Sequence, residues 1–179
     1  DHTIRYFRRQ LELTGVEVRL ETVATAEELA AQGFDAIILA TGVVPREIPL
    51  AGSDHPKVQS YVDVLRDRAP VGESVAIIGA GGIGFDVAEL LTHPESGDDY
   101  YAAWGIDRSL THRAGLVSSA APSPTRRVTL CQRRRGKLGA RLAKTTGWIH
   151  RQTLRRRGVT LLDRCSYQRV DDEAVQAAY

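Results

Sequence analysis

The feature that most constrains the fold of this chain is an apolar run at 75–78, Val-Ala-Ile-Ile, which passes directly into Gly79-Ala80-Gly81-Gly82-Ile83-Gly84. Phe85-Asp86-Val87-Ala88-Glu89-Leu90-Leu91 follows without a break. Consecutive β-branched and small apolar residues suit a strand buried on both faces, as in a parallel sheet. G-x-G-x-x-G supplies a sharp turn, a backbone able to approach a pyrophosphate closely, and a helix packed tightly on the strand. Val87, Leu90 and Leu91 recur at helical spacing and give that helix a sheet-facing side. Phosphates placed there would meet the free N–H groups and positive dipole end of a helix. The competing reading is a βα turn that holds no ligand, and the flanking strand and helix favour the dinucleotide.

The 179 residues suffice for one ordinary domain, or one domain and a piece of another. At 42% hydrophobic and 26% charged, the composition is that of a soluble globular chain, so the cytoplasm is the default compartment. The sequence has neither a run of about 18 apolar residues nor a signal-peptide pattern, which argues against a membrane partner. Cys131 and Cys165 lie far apart without metal-ligand spacing and read as buried free thiols. The chain opens at Asp1, lacks Met, and stops at Tyr179 as an alternating segment begins, which leads us to expect a piece of a longer protein.

Periodicity predicts a helix over 2–14 closed by Gly15, a strand at 16–20, a short helix from the cap-like Thr25 to residue 31, and a buried strand at 34–39 ending in Ala40-Thr41-Gly42. Small residues at the end of a parallel strand allow a cofactor to approach the backbone. Pro45, Pro49, Gly52 and Pro56 mark a boundary between two substructures, and residues 61–66 form a short helical candidate. Residues 92–125 are too long for a plain connection and are expected to be a partly disordered surface excursion. A second strand is predicted at 127–132, a helix from about Lys144 to Arg156, a third strand at 158–162, and antiparallel strands at 167–170 and from Ala174 onward.

The net charge is only +2, yet basic residues crowd into the last third of the chain. In a Rossmann unit the tip of the second strand faces the adenine ribose, and an acidic side chain there selects NAD. Here Arg133, Arg134, Arg135 and Lys137 follow that strand instead. Guanidinium groups match a phosphate dianion in charge and geometry, so the pattern predicts NADPH, with Arg133 and Arg134 the foremost candidates. A solvated arginine cluster is the alternative. Arg151, Arg155, Arg156 and Arg157 read as solvated helix surface near a helix C-terminus. His55, His93, His112 and His150 have no sequence partner that suggests catalysis or metal binding, and no catalytic or metal residue is assigned.

Ala40-Thr41-Gly42-Val43-Val44-Pro45-Arg46, residues 55–65, the glycine turn with Phe85-Asp86, and Lys144-Thr145-Thr146-Gly147-Trp148-Ile149-His150-Arg151 together resemble the bacterial NADPH-dependent 2,4-dienoyl-CoA reductases. The resemblance runs from near Asp1 to Tyr179 and corresponds to the later part of such an enzyme. It implies an α/β, Rossmann-like FAD/NAD(P)-binding fold with a parallel sheet flanked by helices and the start of an antiparallel β-meander. Residues 1–45 would be a partial FAD-binding domain, and 46–179 an inserted, C-terminally incomplete NADPH-binding domain.

The family's remaining parts are a TIM barrel carrying FMN and a four-iron four-sulfur cluster. Electrons pass from NADPH to FAD, the cluster and FMN, and then to a 2,4-dienoyl-CoA in fatty acid β-oxidation. By position, Gly79, Gly81, Gly82, Ile83 and Gly84 would hold the NADPH pyrophosphate, and Arg133 and Arg134 the 2′-phosphate. Ala24 would offer backbone to the FAD adenine, with Thr41 and Gly42 beside the FAD phosphates and ribose. The substrate-protonating residues and cluster cysteines have no counterpart here, and the basic segment 135–141 departs from the family's pattern.

Two other readings stand beside this one. A related flavoprotein, of amine dehydrogenase or enoate reductase type, could use the same domain to bind an adenine nucleotide. A non-catalytic module docking nucleic acid or another anion would need aromatic residues among its charges, and these are missing.

Overall fold

The computed structural model describes residues 1–93, 100–120 and 124–179. The chain divides into two units, Asp1–Val43 and Val44–Tyr179.

In the first unit, α1 (His2–Leu13) ends at Thr14, and Gly15 takes a φ of 72° that turns the chain away. Helix α2 (Ala26–Ala31) starts at a capping box in which Thr25 and Glu28 satisfy each other's backbone N–H groups. The strands expected at 16–20 and 34–39 do not form. A strand is stable only as a rung of a ladder, and neither segment pairs with another within this unit. Ile38 and Leu39 are consequently 89% and 80% exposed, although their apolar run reads as buried.

The second unit carries a parallel sheet of β1 (Ser74–Ile78), β2 (Arg127–Cys131) and β3 (Thr160–Leu162), in that spatial order. Ile77 faces Leu130 across β1 and β2, and Cys131 faces Leu162 across β2 and β3. Helix α3 (Tyr61–Leu65) is capped by Ser60 and Asp63. Helix α4 (Gly82–Leu91) packs Phe85, Ala88 and Leu91 into a core completed by Leu130, Leu154 and Val159. Phe85, Leu130 and Leu154 are essentially inaccessible to solvent. Burial of each such side chain stabilises the fold by roughly 1.5–3 kcal/mol.

Helix α5 (Tyr100–Trp104) and a 3-10 turn at Arg113–Gly115 lie in the long excursion. Its residues 100–120 are more organised than the composition suggests. The Asp107 carboxylate accepts backbone N–H bonds from Ser109, Thr111 and His112, tying a loop around one buried side chain. Of the excursion expected over 92–125, residues 94–99 and 121–123 lie outside the described residues.

Helix α6 begins at Gly147, not near Lys144, and runs to Arg156. The Gly147 N–H bonds to Ala143 O at 2.8 Å, so a turn leads into the helix. Strands β4 (Ser166–Val170) and β5 (Val175–Ala178) pair antiparallel as expected, with a register shift between Tyr167 and Arg169. The result is the α/β architecture the sequence predicts: a parallel sheet flanked by helices, followed by an antiparallel pair.

Candidate functional site

The turn after β1 is built from glycines with two distinct tasks. The Gly79 N–H bonds to Cys131 O at 2.9 Å, which prolongs the β1–β2 ladder by one rung before the chain turns at a φ of 116°. A Cβ at Gly79, Gly81 or Gly82 would meet nothing within 4 Å, so these positions leave the turn open to an approaching group. Gly84 is different, being buried against the turn itself. Gly81 is the N-cap of α4 and provides no side-chain acceptor. The first N–H groups of a helix lack intrahelical partners, and here the first intrahelical bond is from Phe85 N–H to Gly81 O, so those of Gly82, Ile83 and Gly84 have none within α4. Ile83 is 44% exposed beside them.

β1 and β2 are parallel neighbours, so the glycine turn and the residues after β2 emerge at the same edge of the sheet. Arg133, Arg134, Arg135 and Lys137 are all exposed there, and none forms an ion pair among the described residues. The backbone that carries them is anchored. Gln132 Nε2 donates to Arg134 O at 3.0 Å and to Gly136 O at 2.7 Å. The Gly136 N–H donates to Asp163 Oδ2 at 2.7 Å. That bond, with Arg164 as a lesser influence, holds the Asp163 carboxyl below its usual range.

Under this loop sit Cys131 and Cys165, both free and buried, as the sequence predicts. Distant in sequence, they are neighbours in space: the Cys165 N–H bonds to Gln132 O at 2.9 Å. Burial, reinforced by Cys165, pushes the Cys131 thiol up to about 12. Tyr167 Oη is buried beside them without a hydrogen-bond partner, and burial raises its phenol to about 12.

A cavity of about 220 Å³ opens beside the first turn of α4, lined in part by Gly82, Asp86, Thr146 and His150. His150 Nδ1 lies 2.6 Å from Glu89 Oε1, which links α6 to α4. His55 and His112 are likewise paired, with Asp172 and Asp107. Sequence spacing concealed all three partners.

The α6 arginines correct the expectation of a solvated helix face. Arg157 is buried and donates to Glu89 O at 3.1 Å, and Arg151 donates to Gly139 O at 2.9 Å. Arg156 stacks on Trp104 with its guanidinium carbon 4.6 Å from the ring centre and donates to Ala103 O. Of the four, Arg155 alone is exposed.

Of the residues expected at FAD, Ala24, Thr41 and Gly42 are exposed positions of the first unit, on irregular backbone.

The sequence matches the family described as pyridine nucleotide-disulphide oxidoreductase over residues 4–178. The chain belongs to that family. Its members are FAD- and NAD(P)-linked flavoprotein oxidoreductases. Among relatives, a protein named cinnamate reductase from Clostridium sporogenes is 40% identical over 88 residues, covering 49% of this chain and 13% of that protein. One named metal reductase from Desulforamulus reducens is 26% identical over 165 residues, covering 90% of this chain and 24% of that protein. The chain thus spans a quarter or less of the length of these relatives. A solved structure of 2-naphthoyl-CoA reductase with 2-naphthoyl-CoA superposes with a TM-score of 0.63 at 22% identity, over 98% of this chain and 22% of that one. At that identity the likeness establishes the fold of this pyridine nucleotide-disulphide oxidoreductase segment.

Sequence reading missed Gln132 and Asp163. Only the parallel pairing of β2 with β3, which juxtaposes their carboxyl ends, brings the two together. Among the described residues, no helix is long and apolar enough to cross a membrane, and no cluster of three potential metal ligands occurs.

Proposed function

We propose that residues 46–179 are the NADPH-binding portion of a flavoprotein reductase of the 2,4-dienoyl-CoA reductase type, and that residues 1–45 are part of its FAD-binding domain. The observation that carries the NADPH reading is the shared sheet edge: a helix N-terminus without a side-chain cap after β1, and Arg133 and Arg134, without ion pairs among the described residues, after β2. The open turn fits a pyrophosphate, with Gly79, Gly81, Gly82 and Ile83 around it and Gly84 holding α4 against the strand. Arg133 and Arg134 would take the 2′-phosphate through charge-assisted bonds, each worth roughly 1.5–3 kcal/mol where sheltered.

NADPH supplies a hydride when bound. The residues of this chain bind and orient it, and none is required as an acid or base. Ala24, Thr41 and Gly42 remain the FAD candidates by position, on irregular backbone of the first unit, and no step is derived through FAD. On this reading FMN and a four-iron four-sulfur cluster belong to a barrel elsewhere in a longer protein.

The identity to a protein named cinnamate reductase favours a second reading, an enoate reductase type acting on a free acid. NADPH consumption by the full protein containing this chain separates the two. Turnover with a 2,4-dienoyl-CoA supports the first reading. Turnover with cinnamate alone transfers the lead to the second, and none with either overturns both.

A further inference from the structure

The five residues after β2, Gln132 to Gly136, form a bound loop, and its fastenings lie on both sides of the arginines. From within, the Gln132 side chain spans the loop and donates to Arg134 O and Gly136 O. From the neighbouring turn, Asp163 accepts the Gly136 N–H, the Arg164 N–H donates to Arg134 O at 3.3 Å, and the Cys165 N–H donates to Gln132 O. The backbone of Arg133 and Arg134 is thereby fixed at both ends before any ligand arrives.

We infer that Gln132 and Asp163 are positioning residues that set discrimination for a 2′-phosphorylated nucleotide. This rests on the NADPH reading above. A loop already ordered loses less conformational freedom when its side chains close on a phosphate, so affinity rises without a new contact. An acidic residue at a phosphate site would ordinarily oppose the dianion. Asp163 avoids this because Oδ2 is engaged by the Gly136 N–H, while Arg164 Nε lies 3.6 Å from Oδ1. Its task is that of an acceptor, which an amide oxygen can also perform.

The test is calorimetric titration of this chain with 2′,5′-ADP, 5′-AMP, NADPH and NADH, for the parent protein and for Gln132→Ala, Asp163→Ala and Asp163→Asn, with thermal unfolding run alongside. Gln132→Ala and Asp163→Ala are expected to weaken 2′,5′-ADP and NADPH by about 5- to 10-fold, the scale of one lost hydrogen bond, and to leave 5′-AMP and NADH unchanged. Asp163→Asn should bind as the parent does, or more tightly. If Gln132→Ala fails to fold, the contrast between Asp163→Ala and Asp163→Asn decides. A parent that prefers 2′-phosphorylated ligands, with variants that lose all four ligands equally or none, overturns the inference and leaves the NADPH reading standing. A folded parent without that preference overturns both.

Discussion

A Cβ on Gly84 would stand 1.9 Å from the carbonyl oxygen of Gly79. The first turn of α4 therefore presses on the backbone of the turn that precedes it, and the same Cβ would lie 3.4 Å from Leu130 Cδ1 in the core. Gly81, three residues earlier in the motif, has open space where its side chain would be.

The contrast predicts opposite phenotypes for one added methyl group. Gly84→Ala should destabilise the protein by about 1–3 kcal/mol, the usual range for overpacking a filled site. Gly81→Ala meets no steric obstacle and should cost only about 0.5–1 kcal/mol, for the poorer N-cap, while on the proposed NADPH reading its methyl would enter the open turn and weaken nucleotide binding. Thermal unfolding and titration of both variants check this.

The buried thiol gives stability a dependence on alkaline pH. Cys131 titrates near 9.0 when unperturbed and at about 12 in the fold. Between those values the unfolded chain binds fewer protons than the native one, so stability is fully present below pH 9 and declines as pH rises towards 12. Urea midpoints measured across that window should fall less steeply for Cys131→Ala. At pH 8 the native thiol should alkylate far more slowly than the denatured one, since the thiolate is the reactive species.

Asp107 organises the loop 107–112 through its carboxylate, and its bonds to Ser109 and His112 hold it well below the usual carboxylate range. A depressed carboxyl contributes stability that is present above its ordinary value of 3.8 and is lost as pH falls towards the folded one. Asp107→Ala removes every one of those acceptors. Limited proteolysis within 108–117 should then quicken by roughly tenfold, as local opening becomes easier.

How far the sequence disclosed this molecule depended on where each partner lay. The glycine turn, α4, the three strands of the parallel sheet and the β4–β5 pair rest on local patterns, and the structure forms each of them, while the spatial order β1-β2-β3 comes from the structure. Residues 16–20 and 34–39 have the right alternation and apolarity, yet strand formation needs a neighbour, and pattern alone does not supply one. Arg157 reads as a helix-end cation but folds inward onto Glu89 O. The adjacency of Cys131 with Cys165, and of Gln132's loop with Asp163, is created by β2–β3 pairing and has no local signature. Arg133 and Arg134 were legible as candidates because the end of a second strand is a fixed place in a βαβ unit.

The measurement closest to the central claim is calorimetric titration of the chain with NADPH and NADH, before and after Arg133→Ala and Arg134→Ala are introduced together. The account predicts a preference for NADPH of about 10²-fold or more, from two charge-assisted contacts, that collapses in the double variant while NADH binding persists. Equal affinity of the folded parent for the two nucleotides, or a preference that survives the double substitution, would contradict it.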